Sequence, residues 1–198
     1  MENIEIQGMS RGAFLVRGAL ATGAAYGAAS VTPWVTQALA QDGGGDLAIL
    51  NFALTLEYLE ADFYKQASKL GLKGEYKALA KDFGANEQAH VEALAATIKK
   101  LGGKPVKSPE FAFGMKSQTD FEKLAITLED TGVSAYNGAA PMIESKEVFG
   151  AAGSIVQVEA KHAAALRFLG GMDPTLGPFD QPLDKAAVLE AVKPLIKT

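Results

Sequence analysis

The stretches NEQAH, residues 86–90, and VEAKH, residues 158–162, hold the only two histidines of the chain, and each histidine follows a glutamate by three positions. On a helix, residues three apart lie on one face. Glu87 with His90, and Glu159 with His162, would each present a carboxylate beside an imidazole, a pairing that suits a metal ion. Taken singly, ExxH is a common pattern in helices, where glutamate is frequent. The sequence upstream of each copy removes that reading.

Thirty residues before Glu87 lies Glu57, in ALTLEYLEADFYKQA (53–67), and thirty before Glu159 lies Glu129, in AITLEDTGVSAYNGA (125–139). Both segments carry Thr-Leu-Glu, both place a tyrosine seven residues after that glutamate (Tyr64 and Tyr136), and both end in alanine. The set Glu, Tyr, Glu, His thus recurs at an offset of 72 residues, an internal repeat of the kind that decides a fold. Glutamate supplies 14 of 198 residues, too few for both histidines to find the same partners at the same distances by accident. The offset also ranks the other acids. Glu60 maps onto Gly132 and Glu92 onto Ala164, so neither belongs to the repeat; Glu60, one turn beyond Glu57, reads as an extra ligand or a surface acid, and the surface is expected.

Four long segments have helical apolar periodicity and punctuated ends. The first runs from about Asp46, as N-cap, to Leu70 before Gly71, and the second from about Glu75 to Leu101 before Gly102. The third begins at Thr119-Asp-Phe-Glu122, a capping-box pattern, and ends near Pro141; the fourth runs from about Lys146 to Leu169 and stops at Gly170-Gly171. No stretch alternates with period two, so the chain reads as all-α. The segment from Gly102 to Gln118 is long enough to run the length of a helix, which makes it the crossover of a four-helix bundle. The candidate ligands lie on the apolar stripes: Phe83, Glu87, His90 and Leu94 on the second helix, Ile155, Glu159, His162 and Leu166 on the fourth, Leu54, Glu57 and Tyr64 on the first, Ile126, Glu129 and Tyr136 on the third. The acids point into the core. Four buried carboxylates would repel one another and lose hydration, and either protons or cations must relieve them. Two divalent ions would neutralise four glutamates.

Net charge is −4 with both signs scattered, and the absence of a Lys/Arg cluster argues against nucleic acid as a partner. There are no cysteines, which excludes disulfides, thiolate ligands and a rubredoxin-like iron site. A metal must be held by oxygen and nitrogen, a donor set that accepts iron, manganese and zinc with availability deciding; iron is the ion expected, with manganese or zinc as alternatives.

Four helices giving Glu, ExxH, Glu and ExxH resemble the ferritin-like di-metal carboxylate proteins, and the symmetric six-ligand set is most similar to the ferroxidase centre of bacterioferritin. LNFALTLEYLEADFY, TLEDTGVSAYNGAAP and VEAKHAAALR, with PFDQPLDKAAVLEAVKPLI near the C-terminus, resemble the bacterial ferritin-like family that includes the desiccation-related proteins. The resemblance implies that Glu57 and Glu129 are terminal ligands, that Glu87 and Glu159 bridge two metal ions, and that His90 and His162 bind one ion each. It further implies that Tyr64 and Tyr136 hydrogen-bond to ligand carboxylates of the opposite half. Gln88 stands where bacterioferritin has its haem-binding methionine, so haem is not implied. The function expected is a di-iron ferroxidase or a peroxide- or dioxygen-reducing oxidase; the alternatives are iron or manganese storage and a stress-associated structural protein. Metal ions, dioxygen or peroxide, and further copies of the chain are the expected partners, and the repeat implies two nearly equivalent metal positions.

Domain organisation follows from composition. Arg11 and Arg17 precede an uncharged run from Gly18 to Ala40 that closes on Ala38-Leu-Ala40, the layout of an export signal with its cleavage site. SRGAFLVRG resembles a twin-arginine signal, with Gly12 in place of the second arginine. Residues 1–40 are therefore expected to direct export to the periplasm or cell envelope, with a cytoplasmic protein as the alternative. Residues 41–45 form a glycine-rich linker, 46–171 the four-helix bundle, and 172–198 a tail whose short helix, Asp184 to Val192, covers the bundle from outside.

Overall fold

The computed structural model describes residues 45–197. Among the described residues five α-helices follow one another: α1 (Asp46–Ala67), α2 (Gly74–Lys100), α3 (Gln118–Ala139), α4 (Lys146–Leu169) and α5 (Lys185–Val192). Among the described residues no strand forms beyond a single antiparallel bridge between Phe111 and Ile196. The chain is all-α, as its periodicity predicts. α1 packs along α2 and α3 along α4, and the two hairpins meet through α1 against α3 and α2 against α4. The export-signal-like segment 1–40, and residues 41–44 of the linker, lie outside the described residues. Among the described residues no helix is long and apolar enough to cross a membrane.

The helix ends differ from the sequence expectation where side chains are spent otherwise. Asp46 is the first residue of α1 rather than its N-cap; its carboxylate accepts the backbone N–H groups of Glu144 and Ser145 at 2.9 and 2.8 Å, tying the start of α1 to the start of α4. α1 stops at Ala67, three residues before Leu70, because the N–H groups of Lys69 and Leu70 turn back to the carbonyls of Gln66 and Ala67. At α3 the cap is Ser117, whose hydroxyl accepts the Asp120 N–H at 3.2 Å, while the Asp120 carboxylate accepts the Lys116 N–H at 2.9 Å. The expected box at Thr119 and Glu122 is thus displaced by two residues. Ser145 and Asp184 cap α4 and α5 in the same way.

The crossover between α2 and α3 is fastened at several points. Buried Asn51 accepts the Val106 N–H at 2.9 Å, Phe111 and Phe113 enter the core, and the C-terminal tail pairs with it through Ala112 N–H to Leu195 O and Lys197 N–H to Glu110 O. Before α5 the tail crosses α3, where Leu183 donates to the carbonyl of Ser134 at 2.9 Å. Gly138 makes that crossing possible, since a Cβ there would lie 1.9 Å from the Leu183 carbonyl oxygen. α5 then buries Val188, Leu189 and Val192.

Two apolar clusters fill the bundle. One is aromatic and contains Phe63, Tyr64, Phe83, Phe113 and Phe121, with Phe63 and Phe121 stacked at 5.4 Å. The other contains Leu54, Leu94, Ile98, Tyr136, Val148 and Ile155. Along α1 the residues Leu54, Glu57 and Phe63 pass from one cluster to the other, as do Phe83, Glu87 and Leu94 on α2 and Ile155, Glu159 and Leu166 on α4. The polar layer lies between the clusters, sealed by apolar packing at both ends.

A candidate metal centre

All eight residues singled out by the repeat converge in that layer. Glu57, Glu87, Glu129 and Glu159, one from each helix of the bundle, are fully buried, and the side chains of His90 and His162 are 12 % and 3 % exposed. Two overlapping groups could each hold an ion: Glu57, Glu87, His90 and Glu159, and Glu87, Glu129, Glu159 and His162. Glu87 and Glu159 belong to both. The tyrosines cross between the halves: Tyr64 donates from α1 to Glu129 Oε1 on α3, and Tyr136 donates from α3 to Glu57 Oε1 on α1.

The geometry around each histidine fits a cation. Nδ1 of His90 lies 3.1 Å from Glu57 Oε2, 3.0 Å from Glu87 Oε2 and 3.1 Å from Glu159 Oε1. One N–H cannot serve three acceptors well. Donor atoms held about 2.1 Å from a shared ion at right angles are, however, about 3.0 Å apart. Nδ1 of His162 lies 2.9 Å from Glu87 Oε1 and 3.3 Å from Glu129 Oε2, yet neither approach is aligned as a hydrogen bond, and that nitrogen, Glu87 Oε1, Glu129 Oε2 and both oxygens of Glu159 have no hydrogen-bond partner. Buried polar atoms are rarely left so. The residues that carry them belong to the two groups whose ligand atoms all lie within 4.8 Å of one another, an arrangement that could hold metal.

Electrostatics agree. Burial, and then repulsion from neighbouring carboxylates, raises Glu57, Glu129 and Glu60 well above the usual carboxylate range; burial likewise raises Glu159. For Glu87 burial is outweighed by the imidazoles of His162 and His90 close beside it, which lower it to about 2. For His90 burial is outweighed by Glu159, Glu57 and Glu87, which raise it to about 12. Without metal, the imidazolium is the cation that the carboxylates share. Burial and the adjacent carboxylates raise Tyr64 and Tyr136, so both keep the proton they donate.

The burial of Glu60 corrects the expected surface placement, and several other residues at the site were not anticipated. Glu60 is not a surface acid: it is 2 % exposed, and its neighbourhood is that of the four cluster carboxylates. Its repeat counterpart is a glycine, so spacing carried no signal for it. Asn86 sits 3.0 Å from Nε2 of His162, where a side-chain amide fixes the ring while Nδ1 faces the cluster. Phe83 stacks on the same ring at 3.9 Å between centroids. Arg167 on α4 pairs with Asp130 on α3, beside Glu129. A cavity of about 750 Å³ opens between α1 and the crossover, lined by Asp62, Lys65, Gln88 and Met115 among others; none of the eight repeat residues lines it.

A four-helix bundle with a buried carboxylate–histidine cluster at mid-height defines a class of helical proteins that could bind metal in the core. The ferritin-like domain family matches residues 45–171, and the chain belongs to that family. Among solved structures, a conserved hypothetical protein from Mycobacterium tuberculosis is similar at 19 % identity and TM-score 0.58, over 67 % of this chain and 94 % of that one, a likeness of fold. No curated protein matches the sequence.

Proposed function

We propose that the chain is a di-metal carboxylate protein, with iron as the metal, of the ferroxidase or peroxide- and dioxygen-reducing kind. The observation that carries this reading is the pair of four-residue groups sharing Glu87 and Glu159. In it, Glu57 with His90 would hold one ion and Glu129 with His162 the other, with Glu87 and Glu159 belonging to both groups. Tyr64 and Tyr136 each fix a terminal carboxylate by donating to the oxygen turned away from its histidine. His90 would have to give up its proton to hold an ion, since a ligand imidazole must be neutral. Two iron ions held there would supply one electron each to dioxygen or peroxide, and a peroxide that takes both with two protons is reduced to two waters. The apolar clusters on either side exclude bulk water from the layer.

The test loads anaerobic protein with two Fe(II) per chain and follows absorbance in a stopped-flow mixer as air or peroxide is admitted. Rapid oxidation is expected, with both irons retained on gel filtration. Oxidation no faster than in a His90→Ala/His162→Ala variant would leave a structural metal as the better reading, and hundreds of irons per assembly would establish storage.

A further inference from the structure

We propose that the outer face of α4 is the interface of a two-fold homodimer, in which α4 packs antiparallel on the α4 of a second copy, with Phe149 of each chain against Phe168 of the other. The proposal is independent of the metal reading. Among the described residues eight large apolar side chains stand exposed, and six of them fall on α4 and its flanks: Met142, Phe149, Phe168, Met172, Leu176 and Phe179. α4 buries Val148, Ile155, Glu159, His162 and Leu166 on its inner face and packs along α3 and against α2, which leaves its outer face uncovered among the described residues. Taken at about 200 Å² for a whole phenylalanine, Phe149, Phe168 and Phe179, at 54 %, 72 % and 79 % exposure, present about 400 Å² of apolar surface, roughly half of what each partner of a standard interface buries.

Two glycines on α4 call for a close neighbour. Gly84, Gly132 and Gly138, each inside a helix, are explained by contacts within the chain: a Cβ would lie 2.9 Å from Tyr64 Cβ, 3.0 Å from Glu60 Oε1 and 1.9 Å from the Leu183 carbonyl oxygen respectively. At Gly150 and Gly153 of α4 a Cβ would meet nothing within 4 Å. Glycine inside a helix weakens it relative to alanine, and nothing near these two in the described chain requires their smallness. An approaching helix would.

The order of residues on the face identifies that helix. Phe149, Gly153, Gln157, Ala160, Ala164 and Phe168 follow one another at three- and four-residue spacing, which places them on one stripe, and none is charged. They also form nested pairs about a single point between Val158 and Glu159: Phe149 with Phe168, Gly153 with Ala164, Gln157 with Ala160. In two antiparallel helices related by a two-fold axis through that point, the members of each pair stand level across the interface, and each contact occurs twice. Rings then meet at both ends, while the small residues between them let the axes approach to about 8 Å. A face that is its own complement fits a second copy of this chain.

The experiment is sedimentation equilibrium of the full chain and its variants, with circular dichroism to show that each is folded. Wild type is expected to be a dimer at micromolar concentration. Phe149→Lys and Phe168→Glu, both at exposed positions, should each weaken the dimer about a hundredfold, since each removes two ring contacts. Combined in one chain they should recover about tenfold or more of that loss, because the two-fold axis sets each lysine against a glutamate of the other copy. The sequence has no cysteine, so Gly153→Cys/Ala164→Cys supplies a second readout: a short thiol cross-linker should join two copies, whereas within one chain the two positions are about 16 Å apart along the helix, beyond its span. A wild type that sediments as a monomer, a dimer that neither single variant weakens, or a combined variant no tighter than the single ones would overturn the proposal.

Discussion

Glu87 stands between both histidines, with one oxygen 3.0 Å from His90 and the other 2.9 Å from His162, so its removal should be felt at both positions. Glu87→Ala is expected to abolish tight binding of either ion, whereas Glu57→Ala should weaken mainly the ion beside His90; metal titration by calorimetry distinguishes one lost site from two. Tyr64→Phe, which removes only the hydrogen bond to Glu129, should weaken binding by about ten- to a hundredfold. The protonation pattern gives a pH dependence. With Glu57, Glu60, Glu129 and Glu159 raised and His90 raised to about 12, the folded metal-free chain binds more protons than the unfolded chain above the ordinary carboxylate range. Its stability should fall as pH rises. Glu87, lowered to about 2, acts oppositely, contributing stability that is lost only as acid protonates it. Ion binding releases the held protons and tightens with pH, so the rise in melting temperature on adding Mn(II) should be larger at about pH 7.5 than at about pH 5.5. Equal shifts in scanning calorimetry would contradict this protonation scheme. The eight residues were legible in the sequence because duplication repeats them at one offset. Glu60 was not, because its burial depends on a void left by a glycine on another helix, and no periodicity along α1 encodes that.

At the scale of elements, four helices and the crossover could be read from apolar stripes and from the Gly and Pro residues between them, since these act locally. The errors were those of competition between local choices. Ser117 and Thr119 are both able to cap, and Ser117 prevails where Asp120 also serves the Lys116 N–H. Asp46 was read as a cap but bonds to backbone nearly a hundred positions away, a contact only the folded bundle creates. The tail crossing is likewise tertiary. Gly138→Ala would place a methyl against the Leu183 carbonyl oxygen, and displacing the tail should cost about 1–3 kcal/mol. Thermal unfolding should show a fall of roughly 2–4 °C per kcal/mol, with α5 losing amide-exchange protection first. An unchanged melting temperature would mean that the tail shifts without loss.

Across the whole molecule, the layer between the two apolar clusters gathers four buried carboxylates around the two histidines. Ions that bind only the folded chain stabilise it by about 4 kcal/mol each at a thousandfold excess over Kd. The central claim is nevertheless about place rather than energy, and anomalous-difference crystallography of Fe(II)-loaded protein measures place directly. Two peaks are expected per chain, one among Glu57, Glu87, His90 and Glu159 and one among Glu87, Glu129, Glu159 and His162, both lost in a Glu87→Ala/Glu159→Ala variant that still folds. A loaded crystal with no density between the four helices, or with iron bound only at the outer surface, would contradict it.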